Sequence, residues 1–591
     1  MNLKFTGTFD SLKSKLSSLN GEWHEDQPSK KVLRLNGGLL NWFSSTGTLQ
    51  FQGKSPGLEQ LQASIPHLLY PEEYDEPEEK ISLAVTQVPE EKPSDDNAVS
   101  PEQLYLHGNF KDTELVIGIV NAVGTEYKHV LDPLKDRLKG FGYAVEEIRV
   151  SSLLSKPSRN PSEYGRIKHY MNHGDDLRKT TRNNAILAAG AAHKIRESRN
   201  CDPKKTAYIV NSLKHPDEVE FLRKVYGDGF YLFGIHADEK RRHAYLIDDK
   251  SLTQAQADEL IRIDEDEKVD HGQRTRDTFH LSDFFISLGK NDDQVKNTIQ
   301  RFLELLFSNP FRSPTFDEFA MFMAFNSSIR SSDLSRQVGA IIARGQQIVA
   351  TGANDTPRFG GGQYWAEVDP ATGVVNDAED GKDYTREKDS NKAAQNEIIK
   401  EIICALVEHS LSSEDKKQEL EAVLGQSKIS DLTEFGRVVH AEMEAILSCA
   451  RIGVSTMNAS LYCTTFPCHN CAKHIIDAGI ERVVYVEPYP KSRALDLHSE
   501  AISLKTSLDN QSEKNRVTFE PFTGVGARRF LDLFSMSLGG GSKLKRKDKQ
   551  GDTVEWSKES AVARTPLLPK SYLEVETAAS GIWREAEKAA V

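Results

Sequence analysis

Cysteine is scarce in this chain: six in 591 residues, at positions 201, 404, 449, 463, 468 and 471. That number and spacing make no disulfide framework, so a reducing cytosol is the expected setting. No apolar run approaches the roughly 18 residues that a membrane span needs. The opening M-N-L-K-F-T-G-T-F-D lacks the apolar stretch of a secretory leader. Neither membrane insertion nor secretion is expected. Positive charge is in deficit too, with 75 Lys and Arg against 88 Asp and Glu, a net charge of −13. An acidic chain has no general attraction for a phosphate backbone, so a polynucleotide ligand would need a local basic patch. What remains, 38% hydrophobic and 28% charged residues, is an ordinary globular composition. At this length one core does not suffice, and three or four domains are expected.

The chemistry is concentrated between residues 439 and 476. One end reads V-H-A-E-M-E-A-I and the other T-T-F-P-C-H-N-C-A-K-H-I-I. His440 and Glu442 stand at an expected helix start. Pro467 suits a first helical turn, where its missing N–H would be unpaired anyway. Cys468 and Cys471 on that turn aim both sulfurs the same way, and the helix dipole favours their thiolates. One imidazole and two thiolates give zinc three ligands, which is the catalytic count, since a closed structural site has four. Glu442 is placed to handle the protons of a water in the open position. The plainer alternative is a structural zinc knuckle or a metal-free cysteine pair.

Taken in order, residues 1–72 read as a small α+β module. F-D-S-L-K-S-K-L-S-S-L has helical spacing, K-V-L-R-L is a strand, and L-N-W-F-S-S-T-G-T-L-Q-F-Q-G is a strand pair bent at Ser44–Gly47. Residues 73–110, rich in Glu, Pro, Ser and Asp, read as an acidic linker. Residues 111–295 are expected to form a parallel α/β domain, opening with the buried-strand run E-L-V-I-G-I-V. The loop N-A-V-G-T-E, a helix and a strand follow, in the order of a phosphate-binding P-loop. The G-x-x-x-x-G-K-[ST] pattern is not met: Gly118 and Gly124 are one residue too far apart, and Thr125-Glu126 stands where Lys-Ser/Thr belongs. Backbone N–H groups at a helix start still suit a phosphate, so Gly118, Asn121, Ala122, Val123, Gly124 and Thr125 are candidate nucleotide-binding positions. Lys179, Arg182, Lys214 and Arg223 are candidate phosphate partners, or else solvated helix charges. Residues 296–540 carry the metal motif, with a hairpin around Arg344–Gln346 and an insertion at 358–436. That insertion covers the pocket mouth or builds a subunit contact. The tail, 541–591, is expected to be mobile, with its Trp-containing and P-K-S-Y-L segments able to dock.

The pairing of H-x-E with P-C-x-x-C resembles the zinc-dependent cytidine deaminase superfamily. Pro467 to Tyr485, P-C-H-N-C-A-K-H-I-I-D-A-G-I-E-R-V-V-Y, is similar to its deoxycytidylate deaminase branch. From about residue 113 to 535 the chain resembles the bacterial antiphage dCTP/dCMP deaminases. G-I-V-N-A-V-G-T-E, S-L-K-H-P-D-E-V-E-F-L-R, S-R-Q-V-G-A-I-I, H-A-E-M-E-A-I and E-P-Y-P-K-S-R-A-L-D-L-H carry that likeness.

The resemblance implies a P-loop-like α/β domain followed by a deaminase-fold α/β/α domain. It implies zinc on His440, Cys468 and Cys471, Glu442 as proton shuttle, and hydrolysis at C4 of cytosine. It further implies that Asn354 and the Ala441 N–H contact base or sugar, that Arg336 reaches a phosphate, and that Tyr485 lines the pocket. The expected partners are free deoxycytidine nucleotides, a regulatory nucleotide at the P-loop-like domain, and further copies in a homo-oligomer. The expected role is depletion of the dCTP/dCMP pool during phage infection. Two alternatives stay open: a deaminase acting within a polynucleotide delivered by the N-terminal module, and a non-enzymatic nucleotide sensor that keeps a zinc site.

Overall fold

The computed structural model describes residues 4–69 except 20, 28 and 55, and a scatter of positions from 572 to 587. Between them it describes 113–567, except 158–160, 200–204, 266–270, 290, 490–491, 506–514 and 541–542. The acidic stretch read at 73–110 lies outside the described residues. The chain divides into two compact units, Met1–Ala98 and Val99–Val591.

Alternating apolar and polar residues fold the first unit into an antiparallel meander. Its strands β1 (Glu22–Gln27), β2 (Lys30–Leu35), β3 (Gly38–Phe43) and β4 (Leu49–Gly53) pair in that order. Leu33, Leu40 and Trp42 form its core with Leu12 of the helix Phe9–Lys15 and Leu61 and Ile65 of the helix Gly57–Leu69.

The second unit holds two sheets. The first contains β5 (Leu115–Asn121), β6 (Ala144–Arg149), β7 (Thr206–Asn211), β8 (Phe230–His236) and β9 (Phe284–Ser287). They run parallel in the order β9-β8-β5-β7-β6. All of β5 is buried because both faces are covered. Leu115, Ile117 and Ile119 meet the helices Lys128–Gly140 and Asp292–Leu306 on one side. Val116 and Val120 join the layer of Ile186–Ser198 and Pro216–Tyr226 on the other. The helix Asp292–Leu306, most of which falls beyond the domain boundary read at residue 295, packs on this sheet. Its Val295, Ile299, Phe302 and Leu306 stripe finds its cover there.

The second sheet has the order β11-β10-β14-β15-β17-β16. The hairpin β10 (Gly339–Arg344) and β11 (Gln347–Ala353) pairs antiparallel with β14 (Ser460–Cys463) through β10. β14, β15 (Arg482–Tyr485), β17 (Val517–Pro521) and β16 (Ile502–Leu504) then run parallel. A two-stranded ribbon, β12 (Glu367–Val368) and β13 (Val375–Asn376), lies within the insertion. The helix Phe316–Ser328 covers one face, opened by a Thr315–Glu318 capping box. The helices Ala441–Ile452 and His469–Asp477 cover the other. A last short strand, β18 (Gly524–Val525), crosses back and pairs with β9, so the two sheets share one body.

The tail is held where it is described. Arg564 donates to the carbonyls of Asp532 and Ser535, and the Tyr572 hydroxyl donates to Glu114. Leu567, Tyr572 and Trp583 fill the core beside Ile186–Ser198, an apolar gain that mobility would forfeit.

One ion pair ties the Phe316–Ser328 helix to the second sheet. Arg482 holds Asp317 bidentately at 2.9 and 2.6 Å and also binds Glu520. Burial pushes the Asp317 carboxyl up, but Arg482 and the Tyr462 hydroxyl outweigh it and hold it below the usual range. A depressed carboxyl stabilises the fold at neutral pH, and that contribution is lost as pH falls below the ordinary carboxylate range. Arg482→Ala is expected to lower the unfolding free energy at pH 7 by about 1–2 kcal/mol, a figure reduced for the partial exposure of the pair. Denaturant titration should show the deficit shrinking in acid, where Asp317 is neutral in both proteins.

Candidate active site

His440 is the residue before the helix Ala441–Ile452, in extended backbone (φ −65°, ψ 151°), and its ring does not cap that helix. The ring turns instead toward the start of His469–Asp477. There Cys468 is the N-cap, and its sulfur accepts the Cys471 N–H at 3.5 Å. His440 Nδ1 lies 3.3 Å from Cys468 Sγ and 3.4 Å from Cys471 Sγ. The three donor atoms all fall within 4.8 Å of one another. Tetrahedral zinc, with bonds of about 2.0–2.3 Å, sets its ligands roughly 3.5–3.8 Å apart, so the donor set fits that ion. The sequence placed both helix starts; the fold brings them together by laying both helices on the same face of the second sheet.

The electrostatics suit a cation. The Cys471 thiol, donating to Cys468, brings the Cys468 thiol down to about 3 against the effect of burial, with His440 adding to the fall. The same contact with Cys468 holds the His440 imidazole above its ordinary value. Glu442, on the first turn and 3% exposed, has its carboxyl raised, first by burial and then by the negative charge of Cys468. A buried carboxyl raised in this way can both take and return a proton near neutral pH.

Beside these residues opens a cavity of about 640 Å³, which also reaches Val338, Asn354, Ala441 and Phe466. Asn354 is at its wall, 7% exposed, with its amide committed to the backbone: Oδ1 accepts from Val338 N at 2.6 Å and Nδ2 donates to Arg336 O at 2.8 Å. It shapes the loop that presents Arg336, whose side chain lines the cavity and is exposed. Tyr485 falls short of the cavity. It is 3% exposed and packed edge-on against Phe466 at 4.7 Å, so Phe466 forms the wall and Tyr485 the layer behind it.

Several wall residues were not singled out in the sequence. The insertion supplies Asp383, Asp389 and Asn391, and is pinned by a buried pair, Lys382 to Asp355, at 2.5 Å. The loop after β15 supplies Glu487 and Arg493; Arg276 comes from the helix Thr275–His280, beside the first sheet. The E-P-Y-P-K-S-R segment carried a signal for two of these. Arg276 had none, because its neighbours in sequence belong to another sheet.

The second set of predicted residues lies apart. Gly118 is inside β5, where a Cβ would meet Phe230 at 2.8 Å, so it serves strand packing and is no part of the turn. Asn121 ends β5 and Ala122 to Thr125 form the turn, with Gly124 at φ +81°. Lys214 pairs with Asp264 at 2.7 Å, and Arg223 is tied to Asp283 at 2.9 Å, which leaves neither as a free phosphate partner. Lys179 and Arg182 are exposed.

The model of the cytidine and deoxycytidylate deaminase zinc-binding region matches residues 314–487, which contain every metal donor. The deoxycytidylate deaminase of Enterobacteria phage T4 is 30% identical over 180 residues, 29% of this chain and 77% of that protein. The chain belongs to the deoxycytidylate deaminase family. The deoxycytidylate deaminase of Schizosaccharomyces pombe is 31% identical over 202 residues, 34% of this chain and 46% of its relative. ComE operon protein 2 of Bacillus subtilis is 53% identical over 53 residues, 9% of this chain and 28% of that protein. The chain thus spans less than half of the length of these last two relatives. Membership in the deaminase family makes zinc the cofactor of the three-donor set. No described helix is long and apolar enough to cross a membrane.

The metal donors depend on a close approach. A Cβ on Gly352 of β11 would lie 2.1 Å from the Ala441 carbonyl, so the deaminase helix rests directly on this strand. Gly352→Ala is expected to push His440 away from the cysteines. Elemental analysis should find well under one zinc per chain, and overpacking should lower stability by about 1–3 kcal/mol.

Proposed function

We propose that the chain hydrolytically deaminates free deoxycytidine nucleotides, dCMP or dCTP, to dUMP or dUTP and ammonia. The observation that carries this reading is Glu442, buried beside three convergent metal donors at the wall of a nucleotide-sized cavity. Zinc held by His440, Cys468 and Cys471 supplies Lewis acidity and an activated water at neutral pH. Glu442 takes the proton of the attacking water and delivers it to N3 of the ring. It then carries a further proton to the departing amino group, so water is consumed and ammonia released. Phe466 keeps one wall of the cavity apolar. Ala441 opens a helix that has no side-chain cap, and its N–H suits an acceptor on the base.

The charged residues favour a phosphorylated substrate. Asp383 is taken by Arg437 at 2.9 Å, and Asp389 caps the helix Ser390–Glu408. Arg336 and Arg493 line the cavity with exposed side chains, and guanidinium groups suit phosphate. The overall negative charge supports a free nucleotide over a polynucleotide. Depletion of the deoxycytidine nucleotide pool during phage infection is the physiological role we attach to this reaction, on the sequence resemblance.

The test is an assay of dCTP, dCMP, CTP, deoxycytidine and single-stranded DNA in parallel. Glu442→Gln is expected to keep its zinc and lose about 10²–10⁴-fold in kcat. Arg336→Ala and Arg493→Ala should raise KM for the nucleotides and leave that for deoxycytidine unchanged. Activity on DNA alone would overturn the free-nucleotide reading; zinc-loaded protein inactive on all five would favour the sensor.

A further inference from the structure

Five polar atoms lie buried, with no hydrogen-bond partner among the described residues, where the chain leaves β5 and β8. They are Asn121 Oδ1, Thr125 Oγ1, His236 Nδ1, and Nε and Nη1 of Arg242. β5 and β8 are adjacent parallel strands, with Asn121 opposite Ile235. The carboxyl ends of such strands are where open α/β sheets bind their ligands.

Arg242, in the short helix Glu239–Ala244, decides the matter. It is 1% exposed and carries a guanidinium, a group that only donates hydrogen bonds. Among the described residues it forms no ion pair; its contact is the face of Tyr489, 4.5 Å from the guanidinium carbon. A ring face returns far less than the hydration such a cation gives up, so a buried guanidinium with open donors calls for an anion.

The surrounding atoms place that anion against the glycine turn. Gly124 has φ +81°, and a Cβ there would lie 2.8 Å from the Arg242 carbonyl and 3.1 Å from its Cβ. The helix Lys128–Gly140, which follows the turn, has no side-chain cap. Tyr489, beneath the guanidinium, donates its hydroxyl to Asp264 Oδ2 at 2.5 Å, and Val123 N–H donates to the same oxygen at 2.8 Å. Asp264 does not neutralise Arg242, because Lys214 already pairs with it at 2.7 Å. Glu126 is likewise taken by Arg241. His236 is neutral at physiological pH, its imidazole brought down to about 4 by burial and then by Arg242. Asp238, which also faces His236, caps its own helix through the Arg241 N–H, and Nε and Nη1 of Arg242 stay open at the turn.

We propose that the Ala122–Thr125 turn and Arg242 form a phosphate site, taking a phosphate chain whether free or on a nucleoside. Arg242 supplies the cation that a lysine after the last loop glycine would otherwise provide, reaching the site from the element after β8. The site is separate from the deaminase cavity and does not depend on the reaction proposed for it.

The experiment is thermal unfolding of the full zinc-loaded chain with millimolar tripolyphosphate or ATP. The wild type should gain about 3–5 °C. Arg242→Met should melt higher than the wild type without ligand, since it replaces an unpaired buried cation by an apolar side chain of similar length. It should also lose the ligand-induced gain, and Arg242→Lys should recover part of it. Arg336→Ala should keep the gain in full. A shift with ATP alone assigns the site to nucleotides, and a shift with tripolyphosphate alone to free phosphate chains. If Arg242→Met does not fold, Thr125→Val should show a reduced gain. No shift in the wild type would sink the proposal. So would a full shift in either Arg242→Met or Thr125→Val, or a shift lost in Arg336→Ala, which would put the anion in the deaminase cavity.

Discussion

Two thiols, an imidazole and a carboxyl group converge on one partly buried cluster, a donor set that a cation at its centre would hold together. His440, Cys468, Cys471 and Glu442 all lie at the starts of two helices, and both starts point into the same space. The second sheet is built to allow this. Its hairpin offers Gly352 as a bed on which the His440 helix can lie without a side chain between. The parallel strands β14 and β15 flank the cysteine helix in sequence, so its N-terminus falls at the strands' carboxyl ends beside the first helix. Metal, proton carrier and cavity follow from that one convergence.

What could be read from the chain beforehand was what is local. The metal donors sit within 32 consecutive residues, and their spacing on two helix starts dictates their direction. The hairpin was legible in its apolar runs and its glycine turn. Tyr485 was placed at the pocket by the family resemblance, which gives the strand's face and not the depth of the side chain. It does point to the site's side of the sheet, but Phe466 lies over it. Gly118 was read as part of a loop pattern, whereas it makes room beside β5 for the side chains of Phe230, Leu213 and Leu232. The helix Asp292–Leu306 was assigned forward because its own stripe does not say which sheet will cover it. Arg276 and Glu487, 211 positions apart in the numbering, meet at one cavity through tertiary structure alone.

The two sheets meet at the loop that follows β15. Glu487 faces the cavity and pairs with His280 at 3.3 Å, while Tyr489, two residues on, reaches Asp264 beneath the glycine turn. Arg493 closes the same loop at the cavity wall. The glycine turn and the cavity wall thus share one loop, with one tyrosine between them. The helix Thr275–His280 gives a second link: Thr275 hydrogen-bonds Asp264 at 3.2 Å, and Arg276 lines the cavity.

Buried ion pairs recur where distant parts of the chain meet. Lys382–Asp355 fastens the insertion to the end of the hairpin, and Lys214–Asp264 joins the end of β7 to the helix Gln254–Glu265. Arg199 binds both Glu114 and Glu576, clasping the tail to the residue that precedes β5. Burying such pairs gains little net stability, since desolvation offsets most of the attraction. Their worth lies in what a wrong arrangement would cost, because an insertion or tail docked elsewhere leaves a naked charge behind. Apolar surfaces tolerate sliding; a buried carboxylate with one matching cation does not. A single body built from two sheets, an insertion and a returning tail needs that intolerance, and the proposed phosphate site would use it too, with Arg242 left unmatched until an anion arrives.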